Sequence, residues 1–159
     1  MDIKIKSDEG RFKFRVCGIV EKDEKILVMR MNENKFYCLP GGHVELGEDT
    51  NTAILREMKE ELGYEVQINK LACVHQNLFK TENGKPFHEI GFYYSVSPKN
   101  KNFVTENLVR MENDKGQIIR LEMNWVTKEE LKELDFRPQI IREIILKNND
   151  NFECYITKE

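Results

Sequence analysis

The chain has 159 residues, and 28 acidic against 25 basic side chains leave a net charge of −3 with the histidines neutral. That length fits one ordinary domain, and the mild acidity argues against a broad basic face for nucleic acid, which needs clustered Lys and Arg. Hydrophobic residues at 40% exceed what disorder implies, while a mean hydropathy of −0.60 without a long apolar run argues against a membrane-spanning helix.

Residues 1–6 are charged and lack the apolar centre of a signal peptide, so a cytoplasmic, single-domain protein over residues 1–159 is expected, with no membrane partner. Residues 11–20 begin in strict alternation and then turn wholly apolar, the pattern of a strand entering a sheet. The charged group 21–25 turns the chain, and 26–30 return as a partner strand. Residues 36–47 hold the strongest concentration of glycine and read as a short strand feeding an irregular loop. The spacing predicts a helix over 50–62, begun by Asp49 or Thr50 and stopped by Gly63. Ile54, Leu55, Met58 and Leu62 fall within one arc at about 100° per residue and form its buried face.

Two strands follow at 64–79 and 86–96 around Asn83-Gly84, a hairpin turn signal. Residues 98–117 are charged, rich in asparagine, and read as loop. Residues 118–126 resemble a further strand, and Thr127 caps a short helix through Leu134. Ile140, Ile141, Ile144 and Ile145 mark a last amphipathic helix, with a terminal strand at 152–156. Strands and helices in this order suggest an α/β or α+β sandwich. Cys17, Cys38, Cys73 and Cys154 are scattered and never at C-x-x-C spacing, so reduced, mostly buried thiols are expected. His43, His75 and His88 make no zinc pattern with them.

The chemistry concentrates between Gly42 and Tyr64. Glu57, Glu60 and Glu61 stand at i, i+3 and i+4 on the predicted helix and share one arc beside its apolar stripe. Like charges at that spacing cost roughly 0.2–0.5 kcal/mol per pair, so a purely structural helix gains by replacing one. A divalent cation reverses the sign, because hard Mg²⁺ or Mn²⁺ prefers several carboxylate oxygens around it. Arg56 can hold a neighbouring glutamate in place. A solvated acidic face is the plain alternative, and on the helix alone both readings stand. Upstream, Pro40-Gly41-Gly42 allows backbone to approach a phosphate or metal closely, and Glu48 adds a carboxylate just before the helix.

Gly42, five residues, Glu48, seven residues, and then Arg56-Glu57-Met58-Lys59-Glu60-Glu61-Leu62-Gly63-Tyr64 resemble the Nudix box, in MutT-like form. Gly42, Glu48, Arg56, Glu57, Glu60, Glu61 and Gly63 fill every fixed position, an agreement expected by chance on the order of once in 10⁸ to 10⁹ starts. Met58 meets the first apolar position, and Tyr64 replaces the usual bulky aliphatic residue at the last. The resemblance implies an α/β fold, an α/β/α sandwich around a mixed β-sheet. It implies hydrolysis of a phosphoanhydride in a nucleoside diphosphate linked to another moiety, with a small nucleotide as substrate and Mg²⁺ or Mn²⁺ as cofactor. By matching position, Glu57, Glu60 and Glu61 would bind the metals with the Gly41 carbonyl. Glu57 would also serve as base, and Arg56 and Glu48 would orient the cluster. A metal neutralises phosphate charge and lowers the pKa of a bound water. The alternative is a catalytically silent, nucleotide-binding regulatory domain, against which the intact glutamates weigh.

Family members often add a carboxylate from a later segment. Glu122, three residues before Trp125, is the best-placed candidate, with Glu89, Glu106 and Glu112 competing, and for any single one a solvated surface glutamate is the favoured alternative. Trp125 reads as core, and His88-Glu89 interrupts an apolar strand, either to face a cleft or as an ordinary strand polar pair. Phe36 and Tyr37 are open between base stacking and core packing, and Arg30 and Arg137 between phosphate and a surface partner. ADP-ribose pyrophosphatases tend to carry a proline about fifteen residues past the box, where this chain has Leu78-Phe79-Lys80. Diadenosine polyphosphate hydrolases tend to carry a tyrosine slightly later, where Thr81-Glu82 stand, so neither subgroup mark is present. A homodimer is open on family grounds, but no patch in the sequence identifies an interface.

Overall fold

A computed structural model describes the chain apart from Glu33, Val104, Lys115 and Asn149, with Asp114 described in its backbone only. Its contacts divide it into two compact units, residues 1–18, 41–99 and 150–159, and residues 19–40 and 100–149. The strand β2 (Arg11–Lys22) contributes to both.

In the first unit, β2 pairs antiparallel with β1 (Lys4–Lys6) and with β4 (Gly41–His43), placing Arg15 opposite His43 and Val16 opposite Gly42. On its other side lies β6 (Pro86–Pro98), paired antiparallel with β5 (Val66–Lys80). The final strand β9 (Glu153–Lys158) runs parallel to β5, so the sheet is mixed. Residues 36–47, read as a short strand feeding an irregular loop, form their strand at Gly41–His43. β1 had no sequence signal, because its exposed Lys4-Ile5-Lys6 alternates over too few residues to register.

The helix α1 (Thr50–Leu62) packs against β4 and β5. Asp49 is its N-cap, accepting the Thr52 N–H at 2.8 Å, and Gly63 ends it at φ 76° with its N–H donating to the Lys59 carbonyl. Ala53, Ile54, Met58 and Leu62 are its buried residues; Leu55, expected among them, is exposed. Leu55 lies at the edge of the arc and lines a cavity of about 330 Å³ with Thr52, Lys59 and Glu65 instead. Met58 lies over β2 so closely that a Cβ on Gly18 would stand 2.7 Å from its Sδ.

In the second unit, β3 (Lys25–Met31) pairs antiparallel with β8 (Gln117–Thr127), and β8 with β7 (Leu108–Asp114). β7 falls inside the segment read as loop; its Arg, Glu, Asn and Asp masked a strand that pairing with β8 nonetheless stabilises. The short α2 (Lys128–Glu133) carries a full capping box, Thr127 with Glu130, and packs on β8 and on α3 (Gln139–Lys147). Ile26, Leu27, Val28 and Met29 are all buried, and Trp125, Leu131, Phe136, Ile141, Ile144 and Ile145 join them in the core. Cys17 and Cys73 are buried free thiols, Cys38 is half-buried, and Cys154 is exposed on β9. Among the described residues, no helix is long and apolar enough to cross a membrane.

Candidate active site

The loop between β4 and α1 folds over the N-terminal part of the helix, and Arg56 is the hub that joins them. Its Nε and Nη2 grip the two oxygens of Glu48 at 2.8 and 2.9 Å, a fork-to-fork pair that fixes both planes. Nη1 donates to Glu57 Oε1 at 2.8 Å and to Glu60 Oε2 at 3.3 Å, and Nη2 also reaches the His43 carbonyl at 3.0 Å. One guanidinium thus binds three of the expected carboxylates and the backbone of the glycine segment. Glu48 in turn accepts the Glu45 N–H at 3.0 Å, closing the loop on itself. Hydrogen bonding from Arg56 holds the Glu48 carboxyl below its usual range.

The three helical glutamates are not equivalent. Glu60 is 60% exposed, whereas Glu57 keeps only 12% of its side-chain surface. Burial raises the Glu57 carboxyl, against the opposing pull of Arg56. Glu61 turns to the glycine segment and accepts the Gly41 N–H at 2.7 Å. Gly42 sits against Glu57 so tightly that a Cβ there would lie 2.2 Å from the carboxyl carbon. The absence of a side chain at Gly42 is what makes room for this carboxylate.

Arg15 completes the cluster, and sequence reading missed it. Register with β4 brings its Nη2 to the Gly41 carbonyl at 3.3 Å, and its Nη1 lies 3.9 Å from Glu89. An arginine in an alternating strand looks like any exposed strand residue; the long-range β2–β4 pairing that reveals it leaves no local signal. His43, opposite Arg15, is pulled down to about 4 by burial and by the nearby Lys13 and Arg15 charges.

Of the later carboxylates, Glu89 is thus tied through Arg15 to the glycine segment, and Glu106 is exposed. His88, next to Glu89, turns the other way, its Nε2 2.8 Å from Gln76 Nε2 and its ring edge-on to Phe12. Glu122 belongs to the second unit. There it takes Arg30 Nη2 at 2.7 Å, Arg120 Nη1 at 3.1 Å and Asn124 Nδ2 at 3.2 Å. Phe36 and Tyr37 carry guanidinium groups on their rings, Arg137 at 4.7 Å and Arg30 at 5.4 Å. Trp125 is buried, as its sequence context suggested. Among the described residues, no group of three His, Cys, Asp or Glu side chains is arranged to hold a metal ion. The glutamates are instead turned to Arg56 and to the Gly41 N–H.

A helix thus presents carboxylates to a glycine segment, locked there by one arginine. The NUDIX domain model matches residues 11–146, and the chain belongs to the Nudix family. It is a Nudix hydrolase, with the family's α/β/α sandwich built on a mixed sheet. It is 31% identical over 125 residues to an ADP-ribose pyrophosphatase of Methanocaldococcus jannaschii, covering 69% of this chain and 72% of that one. A Nudix hydrolase structure from Nitrosomonas europaea matches with a TM-score of 0.62 at 17% identity, over 92% of this chain and 79% of the other. A UDP-X diphosphatase structure matches with a TM-score of 0.60 at 18% identity, over 90% of this chain and 66% of the other.

Proposed function

We propose that the whole chain acts as one Nudix domain, a divalent-metal-dependent pyrophosphohydrolase that cleaves a nucleoside diphosphate linked to another moiety. ADP-ribose is the first substrate to try, on the similarity to the archaeal pyrophosphatase. The observation that carries this reading is the single arginine hub binding Glu48, Glu57 and Glu60 beside a glycine that leaves space for one carboxylate.

The donor set fits Mg²⁺ or Mn²⁺: every group is a hard oxygen, and Glu57 already occupies a cradle that a Cβ would fill. Glu57, Glu60 and Glu61 would hold the ion with the Gly41 carbonyl. When bound, the metal supplies neutralisation of phosphate charge and acidification of water. Glu57 is the residue that takes the proton from the attacking water; burial raises its carboxyl, which favours that role. Arg56 and Glu48 keep Glu57 aimed, as a rigid fork on one side of it. Arg15 holds the Gly41 carbonyl and with it the glycine segment.

The test is product release from a panel of sugar nucleotides and dinucleotides, with and without Mg²⁺ or Mn²⁺. Wild type should turn over at least one of them only with metal. Glu57→Gln should lose about a hundredfold or more in kcat while remaining folded. Full metal-dependent turnover by folded Glu57→Gln and Glu61→Gln variants would sink the assignment. Tight nucleotide binding without any turnover would favour a regulatory domain.

A further inference from the structure

We propose that the outer edge of β7 pairs with the same edge of a second copy of this chain, antiparallel, about a two-fold axis at Met111. β7 ends its sheet: β8 lies on one side, and among the described residues no strand pairs with the other.

The direction of its backbone groups follows from Arg120. The Arg120 N–H donates to Asn32 Oδ1 at 2.9 Å, and its carbonyl accepts the Asn32 N–H at 2.7 Å, so both face away from β7. Along an antiparallel strand these groups alternate sides residue by residue. Ile119 and Leu121 therefore face β7, meeting Glu112 and Arg110. Val109, Met111 and Asn113 are left with N–H and C=O groups aimed outward. The strand, Leu-Val-Arg-Met-Glu-Asn-Asp, carries neither Pro nor Lys, and its charged Arg110 and Glu112 are of opposite sign, so a second copy can offset them. Val109, Met111 and Ile118 also share one face of the hairpin, 51%, 63% and 67% exposed.

Charge selects the register. Outward groups meet outward groups with substantial overlap only when the two-fold passes at Arg110, Met111 or Glu112. A centre at Arg110 sets that arginine opposite its own copy, and a centre at Glu112 does the same for the glutamate; like charges directly opposed destabilise a sheet. A centre at Met111 sets Arg110 opposite Glu112 of the second copy, and symmetry repeats the pair. Met111 then meets its own copy, and Val109 exchanges backbone bonds with Asn113 of the second copy. An edge this short buries less than a standard interface, so the dimer is weak, with a Kd on the order of micromolar.

Sedimentation velocity of the full chain, from micromolar to millimolar concentration, should show a dimer that grows with concentration. Met111→Pro removes an outward N–H but no bond to β8, so it should abolish the dimer and leave the melting temperature close to wild type. Arg110→Glu and Glu112→Arg should each weaken dimerisation about tenfold or more, and the double variant should recover it. The charge variants carry the test alone if the proline variant does not fold. A chain that stays monomeric throughout, a dimer indifferent to these changes, or a double variant without recovery overturns the proposal.

Discussion

Gly41 and Gly42 are adjacent, yet a methyl group added to each meets a different kind of obstacle. At Gly41 the backbone has φ 153°, and a Cβ would lie 2.1 Å from the Val16 carbonyl oxygen, part of the β2 backbone. Neither can yield without breaking the strand pairing. At Gly42 the obstacle is the end of the Glu57 side chain, which can swing away. Stability and activity should therefore separate. Gly41→Ala should cost about 2 kcal/mol or more in urea unfolding, as strained backbone positions do. Gly42→Ala should unfold close to wild type while its turnover falls about tenfold or more, because the displaced carboxylate is the one assigned as base. Equal losses of stability in the two variants would contradict this reading of the cradle.

At the scale of elements, sequence periodicity was most informative where the elements are long. The helix α1 lies where its caps and spacing put it, and the hairpin of β5 and β6 surrounds Asn83-Gly84. β7 escaped because its polar composition imitates a loop, and Arg15 because strand pairing across many residues leaves no local trace. Spacing put Glu57, Glu60 and Glu61 on one arc of the helix, but the grip of Arg56, the exposure of Glu60 and the turn of Glu61 to the Gly41 N–H depend on tertiary packing. The pairing of β3 with β8 shows a further effect invisible in sequence. Arg30 and Glu122 stand directly opposite, and Arg30, Asn124 and Arg120 together hold the Glu122 carboxyl down to about 2. A carboxyl lowered on folding stabilises the native state above its ordinary value of 4.5, and that contribution disappears as pH falls towards 2. Glu122→Gln should accordingly be less stable than wild type at about pH 6. The gap between their urea midpoints, measured without divalent metal, should narrow below about pH 4.5 and close near pH 2. A gap that stays constant with pH would show that the charge on Glu122 does not clamp these strands.

For the whole molecule, a net charge of −3 says little about what it binds, because position matters more than sum. Glu48, Glu57 and Glu60 gather on one guanidinium, leaving more negative than positive charge in a small volume. In the absence of a cation that surplus opposes folding; a cation bound by the native chain alone adds stability by mass action, about 2.7 kcal/mol at a hundredfold excess over Kd. For a chain of this length each kcal/mol raises the midpoint by about 2–4 °C, so saturating Mg²⁺ or Mn²⁺ should raise Tm by about 5–10 °C, reversed by EDTA. A combined Glu57→Gln and Glu61→Gln variant removes two of the local negative charges, one of them on that guanidinium, without the cation. It should melt at or above metal-free wild type and gain little from Mg²⁺. A solvated acidic face predicts something else: a small rise that any salt reproduces through screening, the same in variant and wild type. Differential scanning calorimetry with Mg²⁺, with NaCl of matched ionic strength, and with EDTA separates the two, since only a site on these glutamates makes the response both ion-specific and dependent on Glu57 and Glu61.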